Sequence, residues 1–384
     1  MLKVLILVSS IHTGDMSQVE EISKAFSKNN IIIHKETIDA KEPFISASDK
    51  YYKLTQQIPK NEKYITLAVG EEAMKLLKLL YQNKMINIKR SYTCLFIHQY
   101  FSGIKNLQLD QLVIPQITIN TKEEMEVVKK IPNVTYLFAP LSNNPSTEEL
   151  KNSYDNWNDS NKPSLDGKYI IVMMPGDAPD SKNKIHFFTK ESANKLFLDI
   201  VKLWQKLGRN HQIIIQNGPR TGKFDPTTGE IACKHEYLAN QNPELAIDEV
   251  SKYFVNLFKD QDINYSFFNF AIRIDGENRK TISYFNPLLY LAQQNNNIFV
   301  IPGGSVSMIG QIPLYLNSDR IILFKPSSMN EDHEAIFNLA FSNNYLSYFA
   351  EDGSIISPIK IEKRKNEDST QVIRKLLDSY NKKH

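Results

Sequence analysis

The sequence predicts an α/β fold of two domains, each a parallel sheet covered by helices, with the two domains facing each other across a cleft. Short apolar runs alternate with segments whose apolar residues are spaced three and four apart, the pattern of strands followed by helices in a parallel sheet. Several runs are apolar throughout, as strands covered on both faces require. The chain has 384 residues, more than a domain with a single hydrophobic core usually has.

The first domain is expected at residues 1–145. The apolar run Leu2–Val8 predicts its first strand, and Val19, Ile22 and Phe26 follow a short loop at helical spacing. Gly70 separates another strand from a helical pattern at Glu71–Tyr81. Further short strands are predicted at 31–33, 64–69, 93–97, 112–114 and 134–138.

A change of composition predicts the boundary between the domains. Residues 146–167 are rich in Asn, Ser, Pro and Asp and are interpreted as a linker, so that 168–350 form the second domain. That domain begins with an apolar strand that ends in a turn at Pro175-Gly176-Asp177. The tail, residues 351–384, contains an amphipathic helix that can pack on either domain.

Composition narrows the class of protein. Lys and Arg number 46 and Asp and Glu number 43, and the basic residues are spread along the chain, so a nucleic-acid partner is not expected. Cys94 and Cys233 form neither a CxxC pair nor a disulfide framework, which favours a reducing, cytoplasmic location. No apolar run approaches the length of a membrane-spanning helix, and the apolar start is too short for a signal peptide.

The stretch Ile298–Leu316 predicts a strand, a glycine turn and a helix. Gly303 and Gly304 permit close backbone approach, and Ser305 or Ser307 stands where the helix begins. Free backbone N–H groups at such a turn, together with the helix dipole, attract anions, so we expect a nucleotide phosphate here. The alternative is an ordinary strand-to-helix turn capped by serine.

Arg220 follows the predicted strand Gln212–Gln216. The stretch Gly218–Lys223 is not a P-loop, because three residues instead of four separate its glycines and no Ser or Thr follows the lysine. A guanidinium beyond a strand end can hold two oxygens of a diphosphate and offset the charge of a leaving group. The alternative is a surface arginine paired with a carboxylate such as Asp225.

Three residues are candidates for acid–base catalysis in the first domain. His12 and His98 each follow a predicted strand, and an imidazole can accept the proton of an acceptor hydroxyl. Asp15, beside Gly14 at the start of the first helix, is a candidate base, although a helix-capping role explains it equally well. The sequence has neither HExxH nor a cluster of Cys and His, so no metal site is expected.

Several motifs in combination resemble a known family. They are the Gly-Asp-x-x-Gln pattern within Thr13–Gln18, the strand-glycine-helix at Gly70, Leu112–Gln116, Phe138–Leu141 and the Ser-Val-Ser-Met at Ser305–Met308. In this order, over most of the chain, they resemble the mitochondrial-fission "elongated mitochondria" family, whose bacterial members look like glycosyltransferases of the GT-B type. Only the Ser-Val-Ser-Met motif is specific by itself.

The resemblance implies two Rossmann-like domains of GT-B type, with a nucleotide-diphosphate sugar held by the second domain, an unknown acceptor by the first, and neither metal nor cofactor. By the same resemblance, Ser305 and Ser307 lie at the phosphate end, Arg220 matches the second arginine of the family's Ser-Arg-Arg-Thr stretch, and Gly176 matches its glycine turn after the first strand of the second domain. The family has Asp where this chain has Gly304 and Glu where it has Gln311. Gln311 can still hydrogen-bond a ribose hydroxyl, but both differences remove negative charge.

Two functional hypotheses therefore stay open, and the sequence does not decide whether the protein is an enzyme. The first is a metal-independent GT-B-type glycosyltransferase that uses a nucleotide-diphosphate sugar. The second is a non-catalytic adaptor on the same scaffold, acting on a fission-type protein partner or peripherally at a membrane. A dinucleotide oxidoreductase is disfavoured, because no GxGxxG follows the first strand of either domain.

Overall fold

The fold is seen in a computed structural model that describes residues 2–9, 13–27, 31–38, 44–97, 101–115, 118–119, 121–137, 141, 145–158, 160–179, 184–361, 363 and 369–384. The chain divides into two compact units. Unit 1 comprises Met1–Asn144 and Asn366–His384, and unit 2 comprises Pro145–Lys365.

Unit 1 is built around a six-stranded sheet in the order β2-β1-β3-β4-β5-β6, in which all strands are parallel. The strands are β1 (Lys3–Ser9), β2 (Ile32–Ile38), β3 (Tyr64–Val69), β4 (Ser91–Phe96), β5 (Gln111–Pro115) and β6 (Asn133–Leu137). The helices before Asn144 are α1 (Thr13–Ser27), α2 (Phe44–Gln56), α3 (Glu71–Gln82) and α4 (Lys122–Val128).

Unit 2 contains a seven-stranded sheet and two small ones. The large sheet has the order β12-β10-β7-β15-β16-β17-β18, a three-stranded sheet has the order β11-β13-β14, and β8 pairs with β9. The strands are β7 (Tyr169–Met173), β8 (Ala178–Pro179), β9 (Ile185–His186), β10 (Gln212–Gln216), β11 (Glu236–Leu238), β12 (Tyr265–Phe268), β13 (Ala271–Asp275), β14 (Asn278–Ile282), β15 (Ile298–Pro302), β16 (Ile321–Phe324), β17 (Ser347–Phe349) and β18 (Ile355–Ile356). The helices are α5 (Thr147–Asp155), α6 (Lys190–Lys206), α7 (Glu249–Asp260), α8 (Phe285–Ala292), α9 (Val306–Gln311) and α10 (Glu331–Ser342).

The predicted α/β class with parallel sheets is confirmed in both units, and each unit is Rossmann-like. In β1, Val4, Ile6 and Val8 belong to one core, while Leu5 and Leu7 belong to a second core on the opposite face. Alternate residues of one strand are thus buried on both sides, as the continuous apolar run indicated. Within the large sheet of unit 2, only the edge strand β18 is antiparallel to its neighbour.

The expected linker at 146–167 is not a separate segment. It contains α5, whose first turn is capped by reciprocal hydrogen bonds between Ser146 and Glu149. Tyr154 packs on Tyr290 of α8 with ring centroids 5.7 Å apart, and Trp157 is also buried. The Ser and Asn content that suggested a linker therefore reflects helix capping, and the segment belongs to unit 2.

The expected tail at 351–384 is divided between the two units. Residues up to Lys365 belong to unit 2, and α11 (Ser369–Lys383) belongs to unit 1. Its buried residues Val372, Ile373 and Leu376 lie in the same core as residues of α1. The apolar face of α11 thus packs on the core of unit 1, which is formed by residues far from α11 in the sequence.

We predict that α11 contributes to the stability of unit 1. Ile373 is fully buried, so Ile373→Ala should lower the free energy of unfolding by about 2–4 kcal/mol through lost burial and a cavity. Lys375→Ala, on the exposed face of the same helix, should change it by less than about 0.5 kcal/mol. Urea unfolding of the full chain measures both values, and equal effects would contradict the packing of α11 described here.

Candidate functional site

The order of strands reverses in the large sheet of unit 2 between β7 and β15. From β7 the chain adds β10 and β12 on one side, and then β15, β16 and β17 on the other. These strands are parallel, so their carboxyl ends meet at one edge. In open parallel sheets, ligands bind beyond the carboxyl ends at such a reversal. The turns that follow β7 and β15 therefore border the candidate site.

The turn after β7 is in direct contact with the loop after β10. A Cβ atom on Gly176 would lie 2.6 Å from the Cβ of Arg220 and 3.2 Å from its carbonyl carbon, so only glycine fits. The N–H of Asp177 donates to the carbonyl oxygen of Arg220 at 2.8 Å. Gly176 and Arg220, both candidates from the sequence, are thus brought together beside the reversal point.

Asp177 fastens the two turns to each other. Its buried carboxylate accepts the N–H of Phe188 at 2.9 Å and the N–H of Phe224 at 3.0 Å. Burial raises the pKa of this carboxyl, and the two N–H groups partly offset that increase. Asp177 is therefore committed to holding backbone rather than to contacting a ligand.

His235 holds the Arg220 loop from the other side. The loop is closed by the N–H of Gly218, which donates to the hydroxyl of Thr221 at 2.9 Å. The buried imidazole of His235 places Nε2 2.9 Å from the carbonyl oxygen of Thr221 and Nδ1 3.2 Å from that of Ala246. No local pattern in the sequence distinguishes His235, because its partners lie 14 and 11 residues away.

A third group of contacts fixes the base of this loop. Gly222 has φ +55°, and a Cβ there would lie 2.5 Å from Oδ1 of Asp248. The other carboxyl oxygen of Asp248 accepts Nδ2 of the fully buried Asn217 at 3.1 Å. Oδ1 of Asn217 accepts the N–H of Phe270 at 2.6 Å. The backbone that carries Arg220 is therefore fixed at several points.

Arg220 itself is exposed, which suits a ligand contact. The predicted alternative partner, Asp225, accepts the N–H groups of Thr227 at 2.7 Å and Thr228 at 2.9 Å, and these bonds lower its pKa. Asp225 thus caps its own turn. Burial of the guanidinium lowers the pKa of Arg220, and the nearby Asp177 carboxylate partly offsets that decrease.

The turn after β15 differs from expectation at its first residues. The N–H of Gly303 donates to the carbonyl oxygen of Phe324 at 2.9 Å, and that of Ser305 donates to Pro302 at 3.1 Å. Gly303 is also buried, and a Cβ on it would lie 2.7 Å from the ring of Phe337. These two amides are therefore not available to an anion. The Gly303 amide extends the pairing of β15 with β16, and the Ser305 amide closes the turn itself.

The start of α9 lies just beyond this turn. Ser305 is the N-cap residue but makes no capping bond, and its hydroxyl lies 3.5 Å from that of the exposed Ser307. Gln311 ends the helix, with its side chain beside the Tyr315 hydroxyl, whose pKa burial raises to about 12. A 3-10 turn with Pro313 follows, because proline cannot continue the helix. Ser305 and Ser307 thus lie at the carboxyl edge, and Gln311 at the far end of α9.

His333 is a neighbour of the turn that the sequence prediction missed. A Cβ on Gly304 would lie 3.2 Å from Nδ1 of His333, the third residue of α10. Nδ1 accepts the N–H of Asn330 at 3.4 Å, and the Asn330 side chain accepts the N–H of His333 at 3.0 Å. In the sequence, the Asn-x-x-His spacing of Asn330 and His333 was the pattern that could have indicated this capping contact. The space next to Gly304 is thus taken by an imidazole.

In unit 1, the strand order reverses between β1 and β3. Asp15 lies in the first turn of α1 and is 1% exposed. Its carboxylate occupies the space next to Gly70, at the carboxyl end of β3, where a Cβ would lie 2.0 Å from Oδ2. His12 and His98, the other catalytic candidates, lie outside the described residues.

Two further features are absent from the part of the chain that the structure describes. Within it, no group of three or more His, Cys, Asp or Glu residues has the arrangement of a metal site. None of the described helices is both long and apolar enough to cross a membrane.

Comparison with known proteins gives structural matches only. No model of a known protein family and no curated protein matches the sequence. The structure of S. aureus MnaA with UDP is 9% identical, with a TM-score of 0.48, and the match covers 100% of this chain and 98% of that one. Acinetobacter baumannii MurG is 8% identical, with a TM-score of 0.42 and coverage of 98% and 91%. The lipopolysaccharide outer core galactosyltransferase WaaB is 11% identical, with a TM-score of 0.44 and coverage of 99% and 100%.

The contact between the two turns can be tested by adding one methyl group. Gly176→Ala should destabilise unit 2 by about 1–3 kcal/mol, because its Cβ must displace the backbone of Arg220. Gly218→Ala is the matched control, because the nearest atom to its Cβ is 3.8 Å away, and it should change stability by less than about 1 kcal/mol. Urea unfolding distinguishes the two, and tolerance of Gly176→Ala would disprove the close approach.

Proposed function

We propose that this protein is a metal-independent glycosyltransferase of GT-B type that uses a nucleotide-diphosphate sugar. One observation carries the proposal: at the reversal point of the unit 2 sheet, Gly176 admits the loop that holds Arg220. A guanidinium in that position can donate hydrogen bonds to two phosphate oxygens at once. The hydroxyl groups of Ser305 and Ser307, on the neighbouring turn, would supply further donors.

The fixed backbone of the Arg220 loop supports a catalytic role. A positive charge stabilises a leaving diphosphate best when it is already in place before reaction, because little reorganisation is then required. The bonds from Asp177 and His235 hold that backbone without using the guanidinium. Arg220 would in this way supply the positive charge that a metal ion supplies in other transferases.

The proposed reaction exchanges one C–O bond for another. The bond between the anomeric carbon and the diphosphate oxygen breaks, and the acceptor hydroxyl oxygen bonds to that carbon. The acceptor's proton passes to a base, for which Asp15 of unit 1 is the candidate among the described residues. The diphosphate leaves with the bonding electron pair, and Arg220 offsets its charge.

A non-catalytic role on the same scaffold is the second candidate. The observation that favours it is the absence of a carboxylate at two positions where the resembled family has one. His333 occupies the space beside Gly304, and Gln311 lies beside Tyr315. A protein of this kind would bind a nucleotide, or a partner, without transferring sugar.

Calorimetry with UDP, GDP, ADP, CDP and dTDP tests the binding step. At least one of these nucleotides should bind, and Arg220→Ala should weaken it by about 1.5–3 kcal/mol, or roughly 10- to 150-fold, because a hydrogen-bonded charge is lost. Arg209→Ala is the control, because Arg209 is an exposed arginine in the connection before β10, at the opposite edge of the sheet.

Two results would contradict this proposal. The first is that none of the five nucleotides binds the folded protein, and the second is that Arg220→Ala binds as tightly as the unaltered chain. Binding without hydrolysis or transfer of sugar from the matching nucleotide sugars would favour the non-catalytic alternative.

A further inference from the structure

The small sheet of β11, β13 and β14 starts beside the Arg220 loop. Strand β11 follows His235, which holds that loop, and β13 begins at Ala271, directly after the residue whose N–H donates to Asn217 beyond β10. The two strands are parallel to each other, so both extend outward from the carboxyl edge of the large sheet. The faces of this small sheet are not used by the candidate site described above.

One face of the small sheet carries apolar residues close to its start and positive charges further along. Tyr237, Ala271 and Ile282 pack together on this face. In the register of the sheet, Tyr237 lies opposite Arg273, and Arg273 lies opposite Lys280. Residues opposite each other in neighbouring strands project to the same side, as do residues two apart in one strand. Tyr237, Arg273 and Lys280 therefore form a row across the three strands.

The pairing of Arg273 with Lys280 is unfavourable for the sheet itself. The Cβ atoms of directly opposite residues are about 5 Å apart, and like charges in such a pair destabilise it. Asp275 lies 4.0 Å from Nη2 of Arg273, but the side chain of Asp275 is 72% exposed, so solvent screens this ion pair. Lys280 has no ion-pair partner among the residues that the structure describes. The fold alone therefore gives no reason for two cations side by side on this face.

The hydroxyl of Tyr237 extends the same row with a free donor. Tyr237 is only 8% exposed, yet its hydroxyl is not enclosed and makes no hydrogen bond to another described residue. A largely buried phenol usually has a hydrogen-bond partner. The ring packs against Ala271 and Ile282, a role that phenylalanine would fill equally well. The hydroxyl therefore indicates a partner outside the fold.

We propose that Tyr237, Arg273 and Lys280 bind a phosphate group on this face of the small sheet. All three side chains donate hydrogen bonds, and phosphate oxygens accept them while offsetting both positive charges. A metal cation would be repelled here, and a neutral carbohydrate would leave the two charges uncompensated. A phosphate can reach the row from solvent, because the Arg273 side chain is 44% exposed and Lys280 is exposed. This inference does not rest on the proposed transferase function or on Arg220.

Three substitutions each remove one donor: Arg273→Gln, Lys280→Gln and Tyr237→Phe. Arg279→Gln is the matched control, because Arg279 precedes Lys280 in β14, projects to the opposite face and binds the Glu236 carboxylate there. Without phosphate, Lys280→Gln and Tyr237→Phe should melt at the same temperature as the unaltered chain or higher, since they remove a repulsion and an unpaired hydroxyl. A lower melting temperature in both would show that these groups serve the fold, and it would overturn the proposal.

Binding is measured by phosphorus NMR titration of inorganic phosphate and glycerol 3-phosphate, without nucleotide and at an ionic strength held constant with NaCl. At least one of these probes should bind the unaltered chain and Arg279→Gln equally. Arg273→Gln and Lys280→Gln should each bind it at least about tenfold more weakly, because a charged hydrogen bond is lost. Tyr237→Phe should bind it about two- to tenfold more weakly, because a neutral donor is lost.

Cosedimentation with vesicles distinguishes a lipid headgroup from a soluble phosphate ester. Vesicles of phosphatidylcholine alone are compared with vesicles that also contain phosphatidic acid. Binding to phosphatidic acid that depends on Arg273, without binding of the free probes, would assign the site to a headgroup and support the proposal. Binding of the free probes that depends on Arg273, without vesicle binding, would assign it to a soluble ester and also support the proposal. Failure of all probes and vesicles to bind, or binding unaffected by Arg273→Gln, would overturn it.

Titration of UDP and GDP into the same variants separates this site from the proposed nucleotide site. Arg273→Gln should bind nucleotides as the unaltered chain does, and Arg220→Ala should keep the binding of the phosphate probes. Phosphate binding that is lost in Arg220→Ala and kept in Arg273→Gln would overturn this inference without affecting the proposed function. Phosphate binding that depends on Arg273, in a protein that binds no nucleotide, would support this inference and contradict the transferase.

Discussion

The candidate site of unit 2 depends on one steric constraint, the approach of the Arg220 backbone to Gly176. A Cβ on Gly176 would lie 2.6 Å from the Cβ of Arg220, so any larger residue would separate the turns after β7 and β10. The hydrogen bond from Asp177 to Arg220 and the carboxylate of Asp177 then hold the two turns in place. Backbone contacts maintain this arrangement, so the hydrogen bonds that hold the two turns together do not use the guanidinium.

Unit 1 has a comparable steric arrangement, but a different kind of side chain occupies it. Both sheets reverse their strand order, and in both a glycine leaves space at the reversal point. In unit 2 that space admits backbone carrying a cation, and in unit 1 it admits the carboxylate of Asp15. A cation suits phosphate oxygens and a carboxylate suits hydroxyl groups, so the two turns offer different chemistry.

The sequence predicted the class of fold and the turns that border the candidate site of unit 2, because both depend on local patterns. Apolar runs indicate buried strands, and the glycines of Pro175–Asp177 and Gly303–Gly304 mark turns at their ends. Separate sequence patterns indicated Gly176 and Arg220 as candidates. The two residues meet because each follows one of the neighbouring parallel strands β7 and β10. Helix α5 was missed because its capping residues have the composition of a linker.

What the sequence did not predict depends on partners far along the chain. The amide of Gly303 was expected to be free, but it pairs with Phe324 of the neighbouring strand, which only the sheet order reveals. His235 and His333 acquire their roles from Thr221 and Gly304, which lie 14 and 29 residues away.

A crystal structure with a bound nucleoside diphosphate tests the central claim most directly. We expect diphosphate oxygens within hydrogen-bond distance of the Arg220 guanidinium, at the carboxyl ends of β7 and β15, with the base and ribose extending from there. A diphosphate bound away from that edge, or bound there without contacting Arg220, would contradict it.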